Sequence, residues 1–301
     1  MAAGRGSCLT FHATFNCLWC SRAHKTRTDS DLEGYALLCP DCVGRAGENE
    51  FLRFRLREGL RVRAEAEKSE SVRHAPDDAL GAYYAARAGE YDDWFLRKGR
   101  YSRGVIADAA WAADMDAATL WLDAQPLRGE IVELAAGTGW WSPLLAQKAT
   151  TLWLYDLNAE PLEFARRRLL AHGLAAHIHV RDAWAEPDRR VDALFCGFWL
   201  SHVPRTRLGE FLALCTRWLK PGGHFAFIDS RRDPESGAID HPPPENDLSV
   251  RKLDDGRQFT IVKVYWQPAE LEAALLVAGF ATANVATTSR FFLMGEAVAA
   301  K

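Results

Sequence analysis

The sequence predicts an α/β protein with a small metal-binding module ahead of its main domain. From about residue 79 onward, short apolar runs alternate with helical stretches, the pattern of a parallel sheet covered by helices on both faces. Near the start, two CxxC pairs stand eighteen residues apart. We therefore predict a zinc-ribbon-like module over residues 1–63, a linker over 64–78 and an α/β domain over 79–301.

The composition is that of an ordinary globular protein. Of its 301 residues, 48% are hydrophobic and 26% are charged, which suffices to bury a full core, and the net charge is -3. This balance excludes a polyanion-binding surface over the whole protein. The start lacks the apolar core of a signal peptide, and no apolar run is long enough to span a membrane. We expect a cytoplasmic protein without a membrane partner, and nothing in the sequence predicts its oligomeric state.

The paired cysteines predict a structural zinc site. In a reducing compartment, paired CxxC motifs favour a metal over disulfides, and a gap of about 15–20 residues between pairs is typical of ribbon sites. Zinc prefers four soft ligands in a tetrahedron. A segment this small has too little core to fold without a cross-link such as a bound metal ion. Four unligated thiols and a redox dithiol are the alternatives. The predicted ligands are Cys17, Cys20, Cys39 and Cys42.

The most basic stretch of the chain follows this module. Residues 51–70 are predicted to form a helix that carries five arginines. Such a stripe is either a solvated helix face or a contact for RNA or an acidic partner.

The main domain begins with two predicted helices, over residues 81–101 and 105–125. Predicted strands cover residues 130–137, 151–157, 177–183, 191–200 and 223–230. A β-hairpin over 250–264, with its turn at Asp255 and Gly256, reads as an insertion near the mouth of the site. In parallel sheets, ligands bind beyond the carboxyl ends of the strands, so the residues that follow each strand should carry the chemistry.

The ends of the first three strands carry a pattern that suits a nucleoside. The first strand leads into ELAAGTG, in which Gly137 and Gly139 allow a tight turn close to a ligand. Seventeen residues after Gly139, the second strand ends at Asp156, where a carboxylate can accept hydrogen bonds from both ribose hydroxyls. The third strand ends at Asp182, where an acid can accept from an adenine amine. A dinucleotide-binding dehydrogenase would need Gly or Ala in place of Ser142.

From about residue 79 onward, the chain resembles the class I S-adenosylmethionine-dependent methyltransferases. The matching segments are IVELAAGTG, Asp156, Arg181-Asp182-Ala183, FCGFWLSHVP and LKPGGHFAFIDS. The resemblance implies a Rossmann-like sheet of seven strands, the last two forming an antiparallel hairpin, with S-adenosyl-L-methionine as cofactor. The family usually carries a further glycine at the place of Ala135, where alanine is commonly accepted.

The resemblance also implies the residues of the cofactor site. From the first predicted helix, Tyr91 or Arg87 is expected to reach the carboxylate of the cofactor, although the aromatic residues of this helix could serve packing instead. The implied site residues are Glu133, Ala135, Gly137, Gly139, Asp156, Leu157, Asp182, Ala183 and Tyr91.

His202 is the candidate general base. Methyl transfer from a sulfonium is an in-line displacement, so the enzyme mainly orients donor and acceptor and excludes water. His202 follows the fourth strand and could take a proton near neutral pH, or it could be a hydrogen-bonded structural residue at the turn. Phe198 and Trp199 could line an apolar substrate site or belong to the core, and we expect at least one of them to belong to the core, because neighbours on a strand face opposite sides.

We predict a methyltransferase that acts on a small-molecule acceptor. The alternative is an RNA or protein methyltransferase that uses the zinc module for recognition. This alternative rests only on analogy at the level of the fold. A third hypothesis, a non-catalytic protein that keeps the cofactor fold, is disfavoured by the retained glycines and acids. No NPPY-type tetrapeptide follows the fourth strand, which argues against the amine-methylating enzymes that use one.

Overall fold

The structure is a computed structural model that describes residues 14–17, 20, 22–25, 39, 41–42 and 79–301. By packing, the chain divides into two units, Met1–His74 and Ala75–Lys301. In the first unit, β1 (Thr14–Asn16) pairs with β2 (Ala23–Lys25) in antiparallel fashion. The predicted basic helix over 51–70 and the predicted linker over 64–78 lie outside the described residues, and the exact domain boundaries stay predictions.

The second unit contains one large sheet flanked by helices. Its strands are β3 (Gly129–Leu134), β4 (Ala149–Asp156), β5 (His177–Val180), β6 (Val191–Gly197), β7 (Leu219–Ser230), β10 (Phe280–Thr287) and β11 (Phe292–Ala299), and β8 (Leu248–Lys252) and β9 (Gln258–Val262) form a separate pair. Its helices are α1 (79–87), α2 (Tyr91–Phe95), α3 (Val105–Ala124), α4 (Ser142–Lys148), α5 (Ala159–Ala171), α6 (Leu208–Trp218) and α7 (Pro268–Val277).

The order of the seven strands is β10-β11-β7-β6-β3-β4-β5. The five strands from β7 to β5 pair in parallel, while β11 runs antiparallel to both β7 and β10. This is the seven-stranded sheet with a terminal antiparallel hairpin that the resemblance implied, and the α/β prediction is confirmed. The chain builds outward from β3 to β5 and then returns to β6, so the topological switch point lies between β3 and β6. Ligands of such sheets bind at that point.

The central strands are apolar on both faces, as parallel strands covered by helices must be. On one side, Ile131 of β3 and Phe195 of β6 belong to a buried cluster that includes side chains of α3, α4 and α5. On the other side, their neighbours Val132 and Leu194 pack with α6 and α7. Because every strand end at the switch point is thus held by core packing, the loops that follow the strands start from fixed positions.

The first predicted helix of the domain, over residues 81–101, is wrong as one continuous element. The chain instead forms α1, a turn over residues 88–90, α2 and a short 3-10 helix over Gly99–Tyr101. Arg97 and Gly99 have φ of 51° and 53°, left-handed conformations that an α-helix does not contain. The second predicted helix is confirmed as α3, which ends just before Pro126.

The predicted inserted hairpin is confirmed as β8 and β9, and Gly256 takes a φ of 89° at its turn. Leu253 and Ile261 of this hairpin pack with Leu80 and Tyr83 of α1. The hairpin therefore packs directly against α1. Within the part of the chain that the structure describes, we find no helix with the length and apolar character to cross a membrane.

Candidate active site

A cavity opens at the carboxyl ends of the strands around the switch point. It contains about 790 Å³ of non-atom space, part of it open to solvent. The loops after β3, β4 and β5 all contribute to its wall, and α1 and the turn before α2 cover it. Of the predicted site residues, the structure brings together Ala135, Gly137, Asp156, Leu157, Asp182, Ala183, Tyr91 and His202 around this cavity. We call it the cofactor cavity.

Asp156 is held in place before any ligand arrives. Its two carboxylate oxygens each accept a backbone N–H at 2.9 Å, one from Gly137 and one from Asn158. Burial raises the pKa of Asp156 to about 6, against the opposing effect of these hydrogen bonds. At pH 7 the side chain is therefore ionised, and each oxygen keeps a lone pair for a further donor. Two adjacent hydroxyls are the donors that fit such a carboxylate.

The two glycines of the loop between β3 and α4 have different structural roles. Gly137 has a φ of 55° and lines the cofactor cavity. Gly139 has a φ of 72° and does not line that cavity. A Cβ on Gly139 would lie 2.7 Å from Cβ of Ala165 in α5, so this glycine lets the helix approach the loop. Ala135 also takes a positive φ, 50°, which explains why glycine is the usual residue there in the family that the chain resembles.

Glu133 lies in a narrower cleft beside the cofactor cavity, together with Gly137 and Tyr91. The side chain is almost fully buried and accepts a hydrogen bond of 2.6 Å from the Ser142 hydroxyl. Burial raises the pKa of Glu133 to about 8. A cationic ligand group in the cleft would favour the ionised form of this carboxyl, as the ammonium of an amino acid would.

The third strand end is organised in the same way. One carboxylate oxygen of Asp182 accepts the N–H of Trp184 at 2.9 Å, which orients the side chain. The second oxygen has no hydrogen-bond partner among the described residues. Asp182 is exposed and Ala183 is buried. Leu157, which follows the neighbouring strand β4 at the same edge of the sheet, is half exposed. This set offers one acceptor and two apolar surfaces, which suits a flat heterocycle with an exocyclic amine.

His202 is buried, and both of its ring nitrogens are hydrogen-bonded. Nδ1 lies 2.7 Å from the Val262 carbonyl, which can only accept, so Nδ1 carries the proton. Nε2 therefore accepts the hydroxyl of Tyr84, also at 2.7 Å. Burial, followed by the charge of Lys263, lowers the pKa of His202 well below its ordinary value. The imidazole is neutral at pH 7. The ring lines the cofactor cavity, and its Nε2 atom is occupied by the Tyr84 hydroxyl.

Phe198 and Trp199 both line the cofactor cavity. Phe198 also belongs to the buried cluster on one side of the sheet, and Trp199 packs against the cluster on the other side, so the expectation that at least one of them serves the core is confirmed. Both residues follow β6, which ends at Gly197. Phe198 has a φ of 58°, and this left-handed turn redirects the chain immediately after the strand.

A second cavity of about 480 Å³ adjoins the first. The two cavities share a wall of four residues, Tyr84, Tyr91, Phe198 and His202. We call the second one the acceptor-side cavity. Three basic residues line it, Arg87, Arg251 and Lys263. The sequence suggested that Arg87 reaches the cofactor, but the structure places it on the acceptor-side cavity and not on the cofactor cavity.

The four cysteines of the CxxC pairs lie together in the first unit. Their sulfur atoms are all within 4.8 Å of one another, and Sγ of Cys20 and Sγ of Cys39 are 3.8 Å apart. Four sulfurs at about 2.3 Å from a central zinc ion would lie roughly 3.8 Å apart, so the spacing fits a tetrahedral site. The Cys39 N–H also donates to Sγ of Cys17 at 3.4 Å, a contact that stabilises a thiolate. Cys17, Cys39 and Cys42 are buried.

Comparison with known proteins agrees with this geometry. A family model described as a methyltransferase domain matches residues 131–223. The DhpI-SAH complex structure is 32% identical, superposes with a TM-score of 0.60, and covers 75% of this chain and 98% of its own. A DhpI-SAM-HEP complex gives 33% identity and the same score, with 74% and 98% covered. The chain therefore belongs to the S-adenosylmethionine-dependent methyltransferases.

Curated relatives match over shorter stretches. Demethylmenaquinone methyltransferase of Clavibacter sepedonicus is 37% identical over 114 residues, 36% of this chain and 44% of that protein. Ubiquinone biosynthesis O-methyltransferase of Pseudomonas entomophila is 27% identical over 172 residues, 55% of this chain and 71% of that protein. The chain thus spans less than half the length of the first of these relatives.

Proposed function

We propose that the protein transfers a methyl group from S-adenosyl-L-methionine to a small-molecule acceptor. The observation that carries this proposal is the shared wall between the two cavities. A donor in the cofactor cavity and an acceptor in the neighbouring cavity would meet at Tyr84, Tyr91, Phe198 and His202. The curated relatives are named for demethylmenaquinone and for ubiquinone biosynthesis, both small molecules.

Each predicted cofactor residue has a role in this proposal. Asp156 accepts the two ribose hydroxyls, Asp182 accepts the adenine amine, and Leu157 and Ala183 contact the adenine ring. Ala135 and Gly137 bring the loop backbone close to the ligand, and Gly139 sets the position of that loop. Glu133 and Tyr91 face the amino-acid end of the cofactor, which supplies an electrophilic methyl group on a sulfonium.

The reaction forms a bond between an acceptor heteroatom and the methyl carbon while the bond from sulfur to that carbon breaks. The protein mainly orients the reactants and keeps water from the buried wall. Where the acceptor atom carries a proton, Tyr84 and His202 lie at the wall where that proton would leave, but the lowered pKa of His202 makes its imidazole a weak proton acceptor. Any proton transfer to His202 would pass through Tyr84, because Nε2 is already bonded to that hydroxyl.

Calorimetric titration of the full-length protein with S-adenosylhomocysteine tests the cofactor assignment. We expect one molecule bound per chain, and we expect Asp156→Asn to lower the affinity at least about tenfold, because hydrogen bonds to a charged acceptor contribute roughly 1.5–3 kcal/mol each. Asp123→Asn, at an exposed position that pairs with Lys148, is the matched control. Absence of binding to folded protein would refute the assignment.

An RNA or protein substrate remains the alternative prediction. Its main support is the arginine-rich stretch over residues 51–70, which lies outside the described residues. If RNA copurifies with the protein and its binding weakens steeply with added salt, the alternative replaces the small-molecule proposal. We expect no such binding, because the site cavity is narrow and the net charge is negative.

We propose that Cys17, Cys20, Cys39 and Cys42 hold one structural zinc ion. Four sulfur donors with tetrahedral spacing fit zinc, and four protein ligands complete its coordination without a place for substrate. Metal analysis of protein purified without chelator should give one zinc per chain, and a ratio near zero would refute the site. We also propose a location in the reducing cytoplasm, where the six described cysteines, none of which forms a disulfide, would stay reduced.

A further inference from the structure

We propose that the acceptor carries an oxyanion group, a carboxylate or a phosphoryl group, which Arg87, Arg251 and Lys263 bind in the acceptor-side cavity. This inference rests on the proposed function, since it identifies the substrate class of the same site. The oxyanion would bind at the basic end of the cavity, and the reacting atom would lie at the wall shared with the cofactor cavity.

Arg87 is a buried cation without a partner. Only 7% of the residue is exposed, and its Nε has no hydrogen-bond partner. Among the residues that the structure describes, no ion pair or hydrogen bond involves its guanidinium group. The group instead lies over three aromatic rings, 4.6 Å from the centre of Tyr91 and 5.5 Å from those of Tyr83 and Tyr101. A buried charge left without a counter-ion is costly, so its retention indicates a ligand that completes the pair.

Two further polar groups of this cavity lack partners. The hydroxyls of Tyr83 and Tyr101 are buried, and neither makes a hydrogen bond. Nine buried side-chain atoms in the described residues have no partner, and the three on Arg87, Tyr83 and Tyr101 all belong to the lining of this one cavity. Buried donors are normally satisfied, and a cluster of unsatisfied donors in one cavity predicts an acceptor-rich ligand. Oxyanions are such ligands.

The other two basic side chains of the cavity are those of Lys263 and Arg251, and no carboxylate that lines the cavity contacts them. Nζ of Lys263 donates to the hydroxyls of Ser201 and Ser230 at 2.7 and 3.2 Å, and Asp229 lies behind it at 3.7 Å. Nη1 of Arg251 donates to Nδ1 of His241 at 3.2 Å. Burial and the neighbouring arginines lower the pKa of His241 to about 3, so this ring is neutral.

The charge balance of the cavity is therefore positive. Its lining contains three basic residues that ionise at neutral pH and no aspartate or glutamate. Two carboxylates lie near these cations from outside the lining, Asp229 at 3.7 Å from Nζ of Lys263 and Glu90 near Arg87. Three cations less two carboxylates leave one net positive charge for a ligand. Arg and Lys together suit carboxylates and phosphoryl groups, which accept several charge-assisted hydrogen bonds at once.

The competing explanation is that Arg87 holds the carboxylate of the cofactor. Against this explanation, Arg87 lines the acceptor-side cavity and does not line the cofactor cavity. Tyr91, whose ring lies against the Arg87 guanidinium, lines both cavities. The two explanations differ in which ligand should lose affinity when Arg87 is changed.

The test uses full-length protein saturated with S-adenosylhomocysteine and titrated with inorganic phosphate or with acetate at constant ionic strength. We expect at least one of these anions to bind in the millimolar range and to raise the melting temperature, because a fragment of the substrate binds weakly but occupies the same site. Tighter binding of phosphate would indicate a phosphoryl group on the acceptor, and tighter binding of acetate a carboxylate.

Variants then locate the anion. Arg87→Met and Lys263→Met should each lower the anion affinity at least about tenfold. Arg87→Lys keeps the charge and should lose less. Arg217→Met is the matched control, since Arg217 is an exposed arginine that pairs with Glu186, and it should bind the anion normally. Arg87→Met should also melt at a higher temperature than the unmodified protein without anion, because a buried unpaired charge is removed.

Three results would overturn the inference. The first is that neither anion binds to protein that does bind S-adenosylhomocysteine. The second is that both Met variants bind the anion as well as the Arg217→Met control. The third is that Arg87→Met weakens S-adenosylhomocysteine binding and leaves anion binding unchanged, which would assign Arg87 to the cofactor. Failure of S-adenosylhomocysteine to bind would instead refute the cofactor assignment, and anion titration of the ligand-free protein would still test the cavity.

Discussion

Gly139→Ala tests whether the cofactor loop depends on close contact with α5. The new Cβ would lie 2.7 Å from Cβ and 2.8 Å from Cα of Ala165. Carbon atoms in contact normally lie about 3.5–4.0 Å apart, so loop and helix must separate by roughly 1 Å. Such overpacking costs about 1–3 kcal/mol. The φ of 72° adds roughly 1–2 kcal/mol for any residue with a Cβ. We expect a loss of about 2–5 kcal/mol in total.

The matched control is Gly173→Ala. Gly173 follows α5 with a φ of 68°, and a Cβ there would meet no atom within 4 Å. This variant carries the backbone strain without the clash. The difference in unfolding free energy between the two variants therefore isolates the contact with α5, and it should be about 1–3 kcal/mol.

Chemical denaturation followed by tryptophan fluorescence measures these free energies, and calorimetry measures the affinity for S-adenosylhomocysteine. We expect the affinity to fall in Gly139→Ala and to stay unchanged in Gly173→Ala, because a displaced loop moves the Gly137 N–H that orients Asp156. If Gly139→Ala were no less stable than Gly173→Ala, the contact with Ala165 would not be what requires glycine at position 139.

Three further predictions concern the same two sites. Affinity for S-adenosylhomocysteine should weaken as the pH falls below about 8, where Glu133 protonates, and fall more steeply below about pH 6, by up to tenfold per pH unit for each group, because protonated Asp156 loses acceptor capacity; calorimetry across pH measures this. Ala135→Gly should raise the unfolding free energy by about 0.5–1 kcal/mol, since relief of left-handed strain exceeds the entropy cost of glycine, as denaturation will measure. Cys39→Ser should reduce bound zinc well below one per chain in metal analysis, because one of the four ligands is lost.

Each of these predictions has a contradicting outcome. An affinity that does not change between pH 7 and pH 5 would mean that the Asp156 carboxylate does not contact the ligand. A destabilised Ala135→Gly protein would mean that the alanine methyl group contributes more than its backbone strain costs. Full zinc content in Cys39→Ser, with Cys215→Ser as the control outside the cluster, would remove Cys39 from the ligand set.

Local sequence predicted the strands well because each is a short apolar run that ends in a glycine or an acid. The number of strands and the antiparallel hairpin at the end came from the resemblance, and the structure confirms both. The break after α1 was missed because residues 88–90 contain no proline, and the apolar spacing on either side of the turn looks continuous. That break has a consequence for the site, since it lets Tyr84 and Tyr91 approach both cavities from consecutive helices.

What the sequence alone determined about this protein is the residue set of the proposed cofactor half of the site. Its residues occupy short motifs directly after strands, and in a parallel sheet the strand ends meet at one edge, so order along the chain implies proximity in space. The acceptor half was decided only by the tertiary structure. Arg87, Arg251 and Lys263 come from α1 and from either side of the inserted hairpin, and along the chain each resembles an ordinary surface cation. Only folding brings them around one cavity and buries Arg87 there without an ion pair among the described residues, because burial and pairing are properties of packed neighbours and not of sequence position.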